Sequence, residues 1–147
     1  LAELLLEKGY KVYGTYRRTS STNFWRIEEL GVDQHPNLTL LEYDLIDLSS
    51  AYRIISEIEP DEIYNLAAQS HVRISYDIPQ FTVQTNALGV LNILEAYKRV
   101  CPKARFYQAS SSEMFGNSVD LDGFQRETTP FSPVSPSGLN SAKLLSK

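Results

Sequence analysis

The stretch from Glu62 to Ser110, EIYNLAAQSHVRISYDIPQFTVQTNALGVLNILEAYKRVCPKARFYQAS, decides the fold. Its opening, EIYNLAA (residues 62–68), has the composition of a strand, and its end, RFYQAS (residues 105–110), predicts another. Between them, after a polar loop, the spacing predicts a long helix over 82–100, with Val83, Ala87, Val90, Leu91, Leu94 and Tyr97 as one apolar stripe. Strand, helix and strand with short connections predict a parallel pair with a right-handed crossover.

The same alternation extends upstream. Leu1 to Gly9 reads as a helix face closed by a glycine, and Lys11–Tyr16 as a strand. Residues 21–30 read as a short helix, with Phe24, Ile27 and Leu30 at helical spacing and Gly31 as its stop. Residues 37–43 (NLTLLEY) form a second strand, and residues 49–58 a helix with Ile54, Ile55 and Ile58 facing inward, opened by Asp47 as a cap and stopped by Pro60. The fold class that follows is α/β, a doubly wound, mostly parallel, Rossmann-like sheet. Residues 117–136, rich in Pro, Ser, Thr and Asp, form a long loop, and loops of that length are usually functional or mobile.

Composition narrows the function. The chain has 147 residues, 42% hydrophobic and 22% charged, with a net charge of −4 and a pI near 5.2. That is one domain's worth of chain with no basic face for nucleic acid or anionic lipid. No apolar run is long enough to span a bilayer, and the opening LAELLL lacks the features of a signal peptide. The single cysteine, Cys101, forms no internal disulfide and has no Cys/His cluster beside it, so it reads as a small filler near a helix end and no metal site is expected. The expectation is a folded cytoplasmic protein. Because no methionine opens the chain, its start also reads as lying partway through a larger design.

In an open parallel sheet, ligands bind beyond the carboxyl ends of the strands. Those ends carry Arg17-Arg18, Asp44, Asn65 to Ser70, and Ser110 to Glu113. The arginines make a fork suited to a phosphate, or a solvated pair at a turn. Asp44 accepts hydrogen bonds from an adenine amine, or holds a turn. The small residues after Asn65 let backbone approach a cofactor, or simply pack strand against helix. Glu113, behind three hydroxyls, is a general base or a glutamate in a surface turn. His35 reads as a loop residue, and His71 as a second-layer or surface group near the site.

Taken together, YNLAAQSHV, FYQASSSEMFG and ETTPFSPVSP, with LAELLLEKGY and YRR earlier, resemble the GDP-mannose 4,6-dehydratases of the extended short-chain dehydrogenase/reductase superfamily. The resemblance implies bound NADP, GDP-mannose as substrate, and an internal redox cycle. In that cycle hydride leaves sugar C4, a base removes the C5 proton, water is lost across C5 and C6, and hydride returns to C6. By that resemblance Glu113 is the base and Ser111 stands where a threonine bonds the sugar oxygen. Arg17 and Arg18 grip the NADP 2′-phosphate, Asp44 and Leu45 contact the adenine, Leu66, Ala67 and Ala68 pass the ribose, and Ser70 and Tyr107 lie near it. It also implies a homodimer or homotetramer.

Two departures accompany it. The family's tyrosine and lysine positions read Ser137 and Ser141, and Lys143, six residues after Ser137, lies about 200° off the helical direction that the fourth residue takes. The family's first strand, its glycine-rich turn and its substrate domain have no counterpart in residues 1–147, which are expected to form a partial NADP-binding Rossmann domain. The chain by itself is therefore expected to be inactive and to bind NADP weakly or not at all. A noncatalytic interaction module, or a related nucleotide-sugar epimerase or reductase, are the alternative readings.

Overall fold

The computed structural model describes residues 1–21 and 23–134, so Ser137, Ser141 and Lys143 lie outside the described residues. The described chain divides into two units, Leu1–Asp44 and the part that begins at Leu45.

In the first unit, α1 (Ala2–Glu7) ends in a pair of reversed hydrogen bonds, Gly9 N to Leu6 O and Tyr10 N to Leu5 O, with Gly9 at φ +81°. This is the glycine-terminated helix end that the sequence predicts. Strands β1 (Val12–Tyr16) and β2 (Leu38–Glu42) pair in parallel, Val12 opposite Leu38. Between them α2 (Trp25–Glu29) is shorter than the expected 21–30 helix. Phe24 turns its ring edge onto Tyr16, centroids 5.0 Å apart, so its contact is with the strand, and Leu30 is exposed.

The second unit opens with α3 (Leu48–Ile58). The Asp47 carboxylate accepts from the Ser49 amide at 3.0 Å and from the Ser49 and Ser50 hydroxyls. The Ser50 and then Ser49 hydroxyl bonds hold the Asp47 carboxyl down to about 2, from 3.8. A depressed folded value means the cap contributes stability at pH above 3.8 and loses it as pH falls toward about 2. Melting temperature followed through that window should therefore fall more steeply for the native chain than for Asp47→Ala; parallel curves would contradict the cap.

Ala51, Ile54 and Ile55 of α3 are buried, and the helix packs on a later one, where the Tyr52 hydroxyl reaches Glu95 O. Strands β3 (Glu62–Asn65) and β4 (Arg105–Gln108) pair in parallel, Glu62 opposite Arg105 and Asn65 opposite Gln108. Both end earlier than the expected Ala68 and Ser110. Asn65 stops β3, because its side-chain oxygen takes the Ala67 amide while its nitrogen donates to Gln108 Oε1 at 2.9 Å.

The expected polar loop before the long helix contains α4 (Val72–Asp77), opened by His71 Nδ1 accepting from the Ile74 amide. Ile78 breaks it, because the residue before Pro79 is driven out of the helical region. The long helix then begins at Pro79, earlier than expected, as α5 (Pro79–Val83), a π-helical turn (Gln84–Leu88) and α6 (Gly89–Val100).

Its inward face also differs from the expected stripe. Thr82, Asn86, Gly89, Val90, Ile93 and Ala96 are buried, whereas Leu91 is 40% exposed. Small and amide residues face inward because the helix approaches other backbone closely, which hydrophobic periodicity does not register. Cys101 caps this helix half-buried, and burial, then the Glu59 charge, pushes its thiol up, so it stays a packing thiol.

Two parallel pairs form, β1 with β2 in the first unit and β3 with β4 in the second. Residues 117–134 form no helix or strand. They are braced internally: Arg126 bonds Asp120 and Asp122, and the buried Thr129 hydroxyl accepts from the Arg126 amide and donates to Asp120. Among the described residues no helix is long and apolar enough to cross a membrane.

Candidate functional site

Since β3 and β4 run parallel, the segments leaving their carboxyl ends emerge at one edge. From β3 comes the run Leu66 to Ser70, in which Leu66, Ala67, Ala68 and Ser70 are exposed and Gln69 is half-buried. From β4 comes Ala109 to Phe115. Asn65, only 4% exposed, ties the two together through Gln108, and the Ala109 amide continues the ladder onto Asn65 O at 3.0 Å.

After β4 the chain makes a single 3₁₀ turn (Ser112–Met114). Ser111 caps it, its hydroxyl oxygen accepting from the Glu113 amide at 3.2 Å. The hydroxyl proton remains available to donate; Ser111 stands just before the turn and Glu113 at its middle, both residues half-buried. Buried Met114 anchors the turn: its sulfur takes the Ser110 hydroxyl at 3.0 Å, and its carbonyl takes the Ser132 amide at 2.9 Å. Phe115 and Phe131 add a ring contact at 5.0 Å.

A second set of bonds locks the other side. The carboxamide of Asn86 accepts from Gln69 N at 2.8 Å and donates to Gln69 O at 2.9 Å. Asn92 Nδ2 donates to Leu45 O at 3.1 Å, and Leu45 is buried. Tyr107 sits one residue before the strand end, 55% exposed, with its ring 5.9 Å from that of Tyr64. It shares a sheet face with Glu62, whose carboxyl is held down by the Tyr64 hydroxyl and then by Arg105. Ile63, Asn65, Phe106 and Gln108 lie on the opposite face, where Phe106 makes a tilted ring contact with Tyr97 of α6, centroids 5.3 Å apart.

In the first unit, parallel β1 and β2 likewise send Arg17-Arg18 and Asp44 off one edge. Both arginines are exposed, and neither joins an ion pair among the described residues. The histidines are local caps: His71 Nδ1 takes the Ile74 amide and His35 Nδ1 takes the Asn37 amide at 3.1 Å. Among the described residues no group of three His, Cys, Asp or Glu side chains is placed to hold a metal.

Asn86, Asn92 and Gln108 do not stand out in the sequence reading. The available signal is two asparagines and a glycine inside an otherwise apolar helix, residue types that lower helix propensity and need a structural reason.

The sequence model of the GDP-mannose 4,6 dehydratase family matches residues 1–147. GDP-mannose 4,6-dehydratase of Yersinia enterocolitica is 50% identical over 141 residues, covering 92% of this chain and 37% of that protein. The human GDP-mannose 4,6 dehydratase is 46% identical over 144 residues, covering 94% of this chain and 38% of that one. Among solved structures, UDP-glucose 4-epimerase of Thermotoga maritima with UDP-glucose superposes at a TM-score of 0.76 and 27% identity, over 97% of this chain and 43% of that one. The Thermus thermophilus UDP-glucose 4-epimerase complex with NAD gives a TM-score of 0.80 at 24% identity, over 98% and 43%, and shows the fold alone. The chain spans little more than a third of the length of these curated relatives. With the strand-end arrangement above, the match along the whole chain places it in the GDP-mannose 4,6-dehydratase family.

Proposed function

We propose that residues 1–147 are the dinucleotide-binding part of a cytoplasmic GDP-mannose 4,6-dehydratase, acting as a homodimer or homotetramer with NADP recycled in each turnover. The observation that carries this reading is the Ser111–Glu113 turn at the same carboxyl edge as the Leu66–Ser70 run, in a chain of this family.

The residues present fit NADP. Exposed Arg17 and Arg18 offer a charged fork for a 2′-phosphate. Ala67 and Ala68 carry only methyl groups, so a ribose can approach the backbone there. By the family resemblance Asp44 and Leu45 would contact the adenine, and Ser70 and Tyr107 would lie near the ribose. Bound NADP supplies the acceptor and donor of hydride. Of the chain's own groups, the Ser111 hydroxyl donates to a sugar oxygen, and the Glu113 carboxylate takes the C5 proton and passes it to the C6 hydroxyl, which leaves as water.

The test is formation of GDP-4-keto-6-deoxymannose from GDP-mannose by the intact protein that carries this segment. Within it, Arg17→Ala with Arg18→Ala should weaken NADP by roughly 100-fold while leaving NAD little changed, since two charge-assisted bonds are lost. An unchanged NADP-to-NAD ratio would remove the arginines from the phosphate site.

A second reading, a noncatalytic interaction module, is favoured by Ser137 and Ser141 at the tyrosine and lysine positions, because a serine hydroxyl is far less acidic than a phenol. Intact protein that neither binds NADP nor turns over GDP-mannose would establish it. A related epimerase or reductase is disfavoured by Glu113, because a reductase needs no base at C5.

A further inference from the structure

Residues 66–70 form no backbone–backbone hydrogen bond among the described residues. The segment is held from outside. Asn86, 1% exposed, meets both peptide groups of Gln69, as donor and acceptor, in the way a neighbouring strand would. Six residues further along, Asn92 donates to Leu45 O. Between them lies Gly89, where a Cβ would stand 2.8 Å from Leu45 Cβ and 3.3 Å from Leu45 O, so the helix backbone itself lies against the chain that leaves β2.

These three residues, at intervals of three, make one face of the helix, beginning in its π-helical turn. That face therefore touches two separate segments, the one after β2 and the one after β3. Both are assigned above to the dinucleotide, Leu45 at the adenine and residues 66–68 at the ribose.

We propose that Asn86, Gly89 and Asn92 are positioning residues that set the distance between the adenine-side and ribose-side walls of the dinucleotide site. The inference rests on the NADP reading. The amides do not touch the ligand; they hold the backbone that does. A carboxamide suits Asn86 because Gln69 presents one donor and one acceptor. Aspartate there keeps the acceptor but places a second oxygen against Gln69 O.

The experiment measures NADP dissociation constants and amide hydrogen exchange in the intact protein for native chain, Asn86→Asp and Asn92→Leu, with melting temperature alongside. Asn86→Asp should raise the exchange rate at Gln69 and weaken NADP by about tenfold or more, the equivalent of one buried bond. Asn92→Leu, which removes a single half-buried bond, should weaken NADP by a few-fold. A purely structural role predicts lower melting temperatures with native affinity measured well below them, and that result overturns the inference. Native protein that fails to bind NADP overturns the NADP reading and the inference together. Native binding with unchanged affinity in both variants overturns the inference alone.

Discussion

In the intact protein, Ser137→Tyr with Ser141→Lys is expected to raise formation of GDP-4-keto-6-deoxymannose, and Glu113→Gln added to that background should lower it by about 10²–10⁴-fold. The first pair supplies a phenol able to exchange the C4 hydroxyl proton and an amine to steady its anion, neither of which serine provides. The second change keeps the size and hydrogen bonding of Glu113 but removes its capacity to accept a proton from carbon. The turn geometry should survive, because Ser111 caps it through the Glu113 backbone amide, which glutamine retains. Product assay and solvent-deuterium incorporation at C5 read the two steps apart. Activity that survives Glu113→Gln, with normal deuterium incorporation, would assign the base elsewhere. No gain from the tyrosine and lysine would favour the noncatalytic module.

The largest effect on stability is expected at Gly116. It has φ +55°, and a Cβ built on it would stand 2.1 Å from Ser132 O, with Val134 also in reach. Gly116→Ala therefore meets two obstacles, a left-handed backbone and a backbone oxygen that cannot rotate away, costing together roughly 3 kcal/mol. The local consequence is specific. The Ser132 amide bonds Met114 O, so pushing Ser132 outward pulls on the turn that carries Glu113. Denaturant unfolding should show the loss, and amide exchange at Ser132 should rise first. A variant with native stability would mean that the backbone near Ser132 yields freely.

Much of this was legible in one dimension. The strand–helix alternation, the glycine ends of α1 and α2, the Asp47 cap and the strand-end clusters Asn65–Ser70 and Ser110–Glu113 follow from local rules that hold whatever the rest of the chain does. Where reading failed, a long-range contact outweighed a local preference. Phe24 left its helix for Tyr16, and Asn65 ended β3 three residues early to bond Gln108. The 79–100 helix turned Asn86 and Gly89 inward where periodicity placed Ala87 and Leu91. Helix α4 was hidden because its cap is a histidine and its interior polar, with buried Ser75 bonding Val72 O at 2.6 Å within the helix itself.

The sequence by itself determined the family, the element types and the polar residues that leave the strand ends, because apolar period, caps and strand-end residues are written locally. Only the tertiary structure decided which asparagines hold which backbone. Asn86 and Gln69, or Asn92 and Leu45, are far apart along the chain, and their pairing follows from how closely a glycine lets one helix approach, a distance that residue order does not encode.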